Sequence, residues 1–284
     1  MRTEQPSATA LRVAIRRAAH QILDVPKVFD DPLAGRILGA EAARLLESEV
    51  QESQTQLSRS LRAFVAARSR FAEDELARAV GQGASQYVVL GAGLDTFAYR
   101  NPFPARALRV FEVDHPATQA WKQRMLSEAG IPIPACLTFA PMDFEAQSLA
   151  VGLTSAGFEQ NRATFFSWLG VTPYLTEAAF RETLGCIAAM PTGSGVAFDY
   201  GVPRSSLSWR EKLAFDAISR RVAAAGEPFR LYLDPKLLDE LVIGLGFAAI
   251  TDLDSEEINS LYFGDRADGL RVGGGLAHLI SARK

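Results

Sequence analysis

The chain has 284 residues, 48% of them hydrophobic and 22% charged, with a formal net charge of -3. That composition excludes a disordered or fibrous chain, and the charge balance gives no bulk attraction to nucleic acid or to an anionic membrane. No apolar run approaches the roughly 18 residues of a membrane span, the first residues lack the apolar stretch of a secretory signal, and Cys136 and Cys186 stand in no metal-ligand spacing.

A cytoplasmic protein without metal, membrane or nucleic-acid partner is therefore expected. In chain order, Ala10 to Leu23 is alanine-rich with Arg12, Arg16 and Arg17, a helical pattern with one solvated basic face. Phe29 to Ala34 reads as a turn into a helix, with Asp31 as N-cap and Pro32 at the first helical position. Residues 41 to 79 are good helix formers, expected as two helices broken near Ser53 to Ser58. Gly81-Gln82-Gly83 ends this part. Residues 1–80 are thus expected as a helical N-terminal cap.

Residues 81–284 carry the alternation of strands and helices that predicts a doubly wound, Rossmann-like, mostly parallel sheet. Seven strands are expected, beginning near residues 87, 109, 137, 163, 195, 247 and 276. Helices are expected over 116–129, 176–190 and 235–245. A further helix over 204–225 falls outside the alternation and marks a lid, at about 201–232.

The organising stretch is Tyr87-Val88-Val89-Leu90-Gly91-Ala92-Gly93-Leu94-Asp95-Thr96, followed by Arg109-Val110-Phe111-Glu112-Val113-Asp114. An apolar strand enters a glycine turn, where Gly91 and Gly93 allow a sharp bend and let a ligand approach the backbone N–H groups. The next strand ends on Asp114, about 20 residues on, where a carboxylate accepts from ribose hydroxyls. A nucleoside-containing cofactor across the carboxyl ends of the sheet is the resulting expectation. Thr96 stands where a dinucleotide fingerprint wants a third glycine or alanine, which disfavours NAD and leaves a cofactor without phosphates.

These residues resemble the leucine carboxyl methyltransferase-like family, including its bacterial polyketide and S-adenosylmethionine-dependent O-methyltransferase branch. Val88 to Thr96, with Ala98-Tyr99-Arg100, is similar to its first motif, and Phe111 to Pro116, with Lys122, to its second. Met142-Asp143-Phe144 and Trp168 to Leu175 are similar to its third and fourth, while Phe29 to Ala34, the Arg68 helix and Leu261-Tyr262-Phe263 fit its cap and C-terminal region. The resemblance implies a class I methyltransferase fold and S-adenosyl-L-methionine as cofactor, with S-adenosyl-L-homocysteine as product.

It also implies site residues. Asp114 would hold the ribose hydroxyls, with Glu112 on the same face of the strand. Asp143 would accept from the adenine amino group, with Phe144 beside the ring. Gly91, Ala92 and Gly93 would pass under the methionine part, whose carboxylate would pair with Arg68 through the planar guanidinium fork. Two positions depart from the family. Phe97 stands where an arginine is frequent, and Leu169 where many members have a glutamate facing the cofactor's ammonium. Backbone carbonyls around Gly91 and Leu169 are then expected to take that charge.

Methyl transfer to an oxygen of a small metabolite or polyketide is the activity implied. A carboxylate acceptor, ionised at neutral pH, needs no general base, whereas a phenol would need one such as His115. No catalytic residue is assigned from sequence. The acceptor is expected near Tyr174, Tyr200 and Tyr262, between the sheet edge, the cap and the lid. An NAD-linked oxidoreductase and a catalytically silent cofactor-binding protein are the alternatives.

Overall fold

The computed structural model describes residues 7–39, 55–103, 108–143, 147–224 and 226–284. Among these residues no helix is long and apolar enough to cross a membrane. Two helices open the described chain. Helix α1 (Ala8–Leu23) starts at Ser7, whose hydroxyl accepts from the Ala10 N–H; α2 (Gln56–Gly81) starts at Thr55, which accepts from Ser58. Ala63, Ala66 and Leu76 of α2 are fully buried, and the small alanines let this long helix lie close on the sheet. Residues 32–38 run as successive turns rather than as the expected helix; Asp31 Oδ1 still accepts from the Leu33 N–H, at 3.1 Å. The expected helix over 41–54 lies outside the described residues.

Strands β1 (Gln86–Leu90), β2 (Arg109–Asp114), β3 (Leu137–Pro141), β4 (Thr164–Trp168) and β5 (Gly195–Gly201) follow, with β6 (Ala249–Leu253) and β7 (Ala277–Arg283) at the end. They form one sheet in the order β3-β2-β1-β4-β5-β7-β6, parallel except for β7, which runs antiparallel to β5 and β6. Both faces of the sheet are covered, which is why its central strands read as continuous apolar runs. Alternation divides β1 between two cores: Val88 and Leu90 pack with Phe111, Phe166 and Trp168, while Tyr87 and Val89 pack with Val110 and Phe165 below α2.

The connecting helices are α3 (Pro116–Glu128), α4 (Leu149–Ser155), α5 (Glu177–Ala188), α6 (Trp209–Ala224), α7 (Pro235–Gly244) and α8 (Ser255–Tyr262). Helix α6 occupies the expected lid segment. Helix α8 was not expected from the sequence, although Asp254 and Glu257 form a complete capping box at its start. The sheet order reverses between β2 and β4 on either side of β1, the switch point where open α/β sheets bind ligands.

Candidate functional site

At that switch point the carboxyl ends of β1 to β4 open into a cavity of about 500 Å³. Its floor is Gly91, Ala92 and Gly93 after β1, Asp114 at the end of β2, Asp143 after β3, and Leu169 and Gly170 after β4. Its roof is the first two turns of α1, with Thr9, Ala10 and Val13, and the segment after the lid helix, with Glu227. Roof and lid are joined by the Thr9 N–H donating to Glu227 Oε2 at 3.2 Å.

Asp114 is the hinge of the floor. Its Oδ2 accepts from the Gly93 N–H at 2.6 Å and its Oδ1 from the His115 N–H at 2.7 Å. Burial pushes its carboxyl above the ordinary value of 3.8, against these backbone donors, which pull it down. A carboxylate has about four acceptor sites, so two remain for hydroxyls. The Met142 N–H donates to the Asp114 carbonyl at 2.8 Å, which sets Asp143 beside it on the cavity wall.

The glycine turn differs from expectation in one respect. The N–H groups of Gly91 and Ala92 both donate to the Val113 carbonyl, at 2.8 and 3.0 Å, and that of Gly93 donates to Asp114. The turn therefore offers no row of free N–H donors, the feature a pyrophosphate needs. The absent side chains make room for protein instead. At φ +68° a Cβ on Gly91 would fall 2.3 Å from Val171 Cγ2, and one on Gly93, at φ +48°, would fall 3.1 Å from Ala10 Cβ.

Arg68 comes from α2 and lines the cavity. Its Nη1 donates to Asp199 Oδ2 at 2.9 Å, while the Gly170 N–H donates to Asp199 Oδ1 at 2.5 Å. Asp199, on β5, was not picked out from the sequence; an acid in the apolar run Val196-Ala197-Phe198 was the available signal. One guanidinium N–H is spent on Asp199, leaving four for a ligand carboxylate.

Glu112 does not join the site. It is buried, lines neither of the cavities described, and pairs with Lys122 of α3 at 2.6 Å. Its carboxyl is pushed up to about 7 by burial, with Lys122 opposing. Phe144 lies outside the described residues. Leu169 lines the cavity, as does Tyr174. Tyr200 reaches only the neighbouring cavity, and its hydroxyl donates to Asp252 Oδ2. Tyr262 lines neither cavity; it packs in the core beneath α2, with its hydroxyl 3.4 Å from Asp74.

The expected solvated basic face of α1 is instead turned inward. Arg17 is buried, with ion pairs to Asp31 (2.8 Å) and Asp95 (3.1 Å) and a hydrogen bond to Thr96 Oγ1 (3.0 Å). Burial alone would raise Asp95, but Arg17, with Lys122 and Arg100, holds its carboxyl below the ordinary value. Thr96 Oγ1 also donates to Asp31 at 2.6 Å and accepts from Arg100 Nε at 3.1 Å. The hydroxyl that breaks the dinucleotide fingerprint thus ties the cap to the glycine turn. Phe97 packs edge-on against Tyr87, with ring centroids 4.8 Å apart.

A second cavity, of about 790 Å³, adjoins the first and shares Thr9, Val13, Arg68, Gly170 and Tyr174 with it. Its walls are α1, α2 and α6; Arg12, Arg16, Arg210 and Arg221 line it together with Phe64, Phe215 and Ile218. No histidine lines it among the described residues. His115, the candidate base, lines the first cavity beside Asp114, and its Nδ1 accepts from the Ala117 N–H at 3.2 Å. Among the described residues no cluster of His, Cys, Asp and Glu could hold a metal ion.

Comparison with known proteins gives this geometry its relatives. A Bacillus subtilis (strain 168) protein, YktD, assigned to the S-adenosyl-L-methionine-dependent methyltransferases, is 33% identical over 95% of each chain. A Mycobacteroides abscessus protein of the same assignment is 34% identical over 68% of this chain and 64% of its own. The fold is shared with a crystal structure of a Thermobifida fusca protein, at a TM-score of 0.59 and 17% identity over 99% of this chain and 95% of that one. A Streptomyces avermitilis DUF574 protein has the same fold, at a TM-score of 0.57 and 16% identity over 99% and 98%. Residues 10–188 match the profile described as leucine carboxyl methyltransferase. The chain belongs to the leucine carboxyl methyltransferase family and is an S-adenosyl-L-methionine-dependent methyltransferase.

Proposed function

We propose that the protein transfers the methyl group to an oxygen of a small-molecule acceptor, and that this oxygen belongs to a carboxylate. The observation that carries the reading is the lining of the second cavity: guanidinium groups meet it from α1 and α6, and no imidazole does among the described residues. A carboxylate is already ionised near neutral pH, so it is attracted by such a lining and needs no base to deprotonate it. A phenol, with a pKa of about 10, would find no neutral base there.

The first cavity suits the cofactor. Its volume falls in the range of roughly 300–1,000 Å³ usual for small-ligand sites, and its donors and acceptors match an adenosyl group joined to an amino acid. Asp114 would hold the ribose hydroxyls and Asp143 the adenine amino group. Arg68 would hold the carboxylate, and backbone carbonyls around Gly91 and Leu169 the ammonium. When bound, S-adenosyl-L-methionine supplies a methyl on a positively charged sulfur; a C–O bond forms as the S–C bond breaks, and its electron pair returns to sulfur.

The protein's own part is alignment and exclusion of water. The α1 roof and the 226–230 segment close over the first cavity, and Tyr174 stands at the junction with the second. Holding two reactants in line can lower a barrier by roughly 7–11 kcal/mol. Incubation with a labelled methyl donor and a matched panel of carboxylic acids and phenols tests the reading. Labelled, base-labile methyl esters are expected, and transfer only to phenols would refute the carboxylate assignment.

A further inference from the structure

The second cavity has a direction. Along α2 its lining runs from Leu57 through Leu61 and Phe64 to Arg68, steps of three and four residues that keep to one helix face. Along α6 it runs from Arg210 through Ala214 and Ile218 to Arg221, again one face. Arg210 and Arg221 stand eleven residues apart, which at 1.5 Å per residue is about 16 Å. The cavity is therefore a slot between two helices, with an apolar middle.

Its two ends differ. At the cofactor end lie Arg68 and Tyr174, shared with the first cavity, together with Arg12 and Arg221. The contact between the Thr9 N–H and Glu227 brings the start of α1 to the segment after α6, so Arg12 and Arg221 meet this corner from opposite sides. Arg12 Nη1 is buried and has no hydrogen-bond partner among the described residues. At the far end Glu211 accepts from the Gly275 N–H at 2.6 Å and the Ser208 N–H at 2.8 Å, while the Arg210 guanidinium lies over the Trp209 ring, 5.2 Å from its centroid. The Ser208 hydroxyl, together with the Ser208 and Gly275 N–H groups, holds the Glu211 carboxyl below its ordinary value. Ser60 of α2 reaches the same glycine segment, accepting from the Gly273 N–H at 2.8 Å, which fixes the start of both wall helices at this end.

We infer that the acceptor is a long amphipathic carboxylic acid, its carboxylate held by Arg12 beside the cofactor and its apolar body lying along the α6 face towards Glu211. The inference deepens the proposed function and rests on it. Arg12 is half-buried, and a buried guanidinium N–H such as its Nη1 is costly to leave without an acceptor, which a ligand carboxylate would supply. The apolar middle takes a hydrocarbon or aryl body. A slot of about 16 Å matches a zigzag chain of roughly a dozen carbons at bond lengths of about 1.5 Å. The carboxylate would take the methyl as an ester and release no proton.

The test is calorimetry on the full chain loaded with S-adenosylhomocysteine, using dodecanoate, hexanoate and dodecyltrimethylammonium below their micelle concentrations. Dodecanoate is expected to bind at least about tenfold more tightly than the other two. Arg12→Ala should weaken dodecanoate about tenfold or more, with partial recovery in Arg12→Lys and an unchanged S-adenosylhomocysteine affinity. Ala214→Trp, which fills the middle of the slot, should abolish the advantage of dodecanoate over hexanoate. Equal affinity for the two acids, equal affinity for the cation, or an Arg12→Ala protein that binds dodecanoate as before would overturn the inference. Failure of S-adenosylhomocysteine to bind would count against the cofactor site alone, because the same comparisons on the unloaded protein still decide the slot.

Discussion

Gly170→Ala tests the arrangement of the cofactor site through a residue that carries no functional group. A Cβ at Gly170 would lie 2.8 Å from Arg68 Nη2, 3.0 Å from Nη1 and 3.2 Å from Cζ. The guanidinium cannot swing away freely, because Asp199 binds Arg68 through one oxygen and the Gly170 N–H through the other. The backbone at φ +71° adds about 1–2 kcal/mol of strain for any residue with a Cβ. Stability should therefore fall by about that amount in urea denaturation. Cofactor affinity should fall further, since a displaced Arg68 forfeits charge-assisted hydrogen bonds of roughly 1.5–3 kcal/mol, about ten- to hundredfold in Kd. Calorimetry with S-adenosylhomocysteine reads this directly. A double-mutant cycle isolates the route: on an Arg68→Ala background, Gly170→Ala should cost little more affinity. A Gly170→Ala protein that is less stable but binds S-adenosylhomocysteine as tightly as the parent would refute the role given to Arg68.

Asp114→Asn should weaken S-adenosylhomocysteine about tenfold or more while the fold survives. Because burial raises the Asp114 carboxyl above 3.8, the parent's affinity should fade on acidification at a higher pH than an ordinary aspartate would give, whereas Asp114→Asn should stay weak and flat. Glu112 titrates near 7 in the folded protein against an ordinary 4.5, so the native state binds the extra proton between these values. Stability should then decline as pH rises from about 5 to 7, and thermal melts of Glu112→Gln should lack that decline. Thr96→Val keeps the volume but removes the hydroxyl shared by Asp31, Arg17 and Arg100; a loss of about 2–3 kcal/mol in denaturant titrations is expected. A loss under about 0.5 kcal/mol would mean that the network is not held by this hydroxyl.

The sheet and the cofactor were legible because both follow from short-range pattern. Tyr87 to Leu90 had to be a buried strand, and the distance from Gly93 to Asp114 is set by one crossover, so the sequence alone puts a carboxylate beside the glycine turn. Partners across the fold were not legible. Glu112 faces the same side as Asp114, as period two requires, but α3 brings Lys122 against it, 10 residues away in sequence. Arg17 follows Arg16 in an arginine-rich stretch and reads as solvated with it, but at about 100° per residue it lies on the neighbouring face of α1, and which protein surface that face meets depends on how α1 docks on the glycine turn. Asp199 was hidden for the same reason, since its partners Arg68 and Gly170 come from α2 and from the loop after β4. A free anion cradle and a self-bonded glycine turn share one sequence, so which N–H groups are already spent shows only in the fold. The capping box of α8, Asp254 with Glu257, is by contrast a local signal carried by the sequence itself.

The charges of the two cavities are divided by element, and the division explains why one cap serves both. Asp95, Asp114, Asp143 and Asp199 all stand at or just beyond strand ends, where a sheet delivers side chains to its carboxyl edge. Arg12, Arg17, Arg68 and Arg221 all stand on α1, α2 and α6, the helices laid over that edge. Two of these cations, Arg17 and Arg68, are neutralised by strand-end acids, at 3.1 Å to Asp95 and 2.9 Å to Asp199, and so dock the cap on the sheet. On the proposed reading the cationic sulfonium would lie on the strand side, among the carboxylates, and an anionic acceptor on the helix side, where Arg12 has a donor to spare. Docking the cap would then bring opposite charges together twice, once within the protein and once between the two reactants. A cap docked by apolar packing alone would close the site equally well but would leave the second cavity without its guanidinium lining.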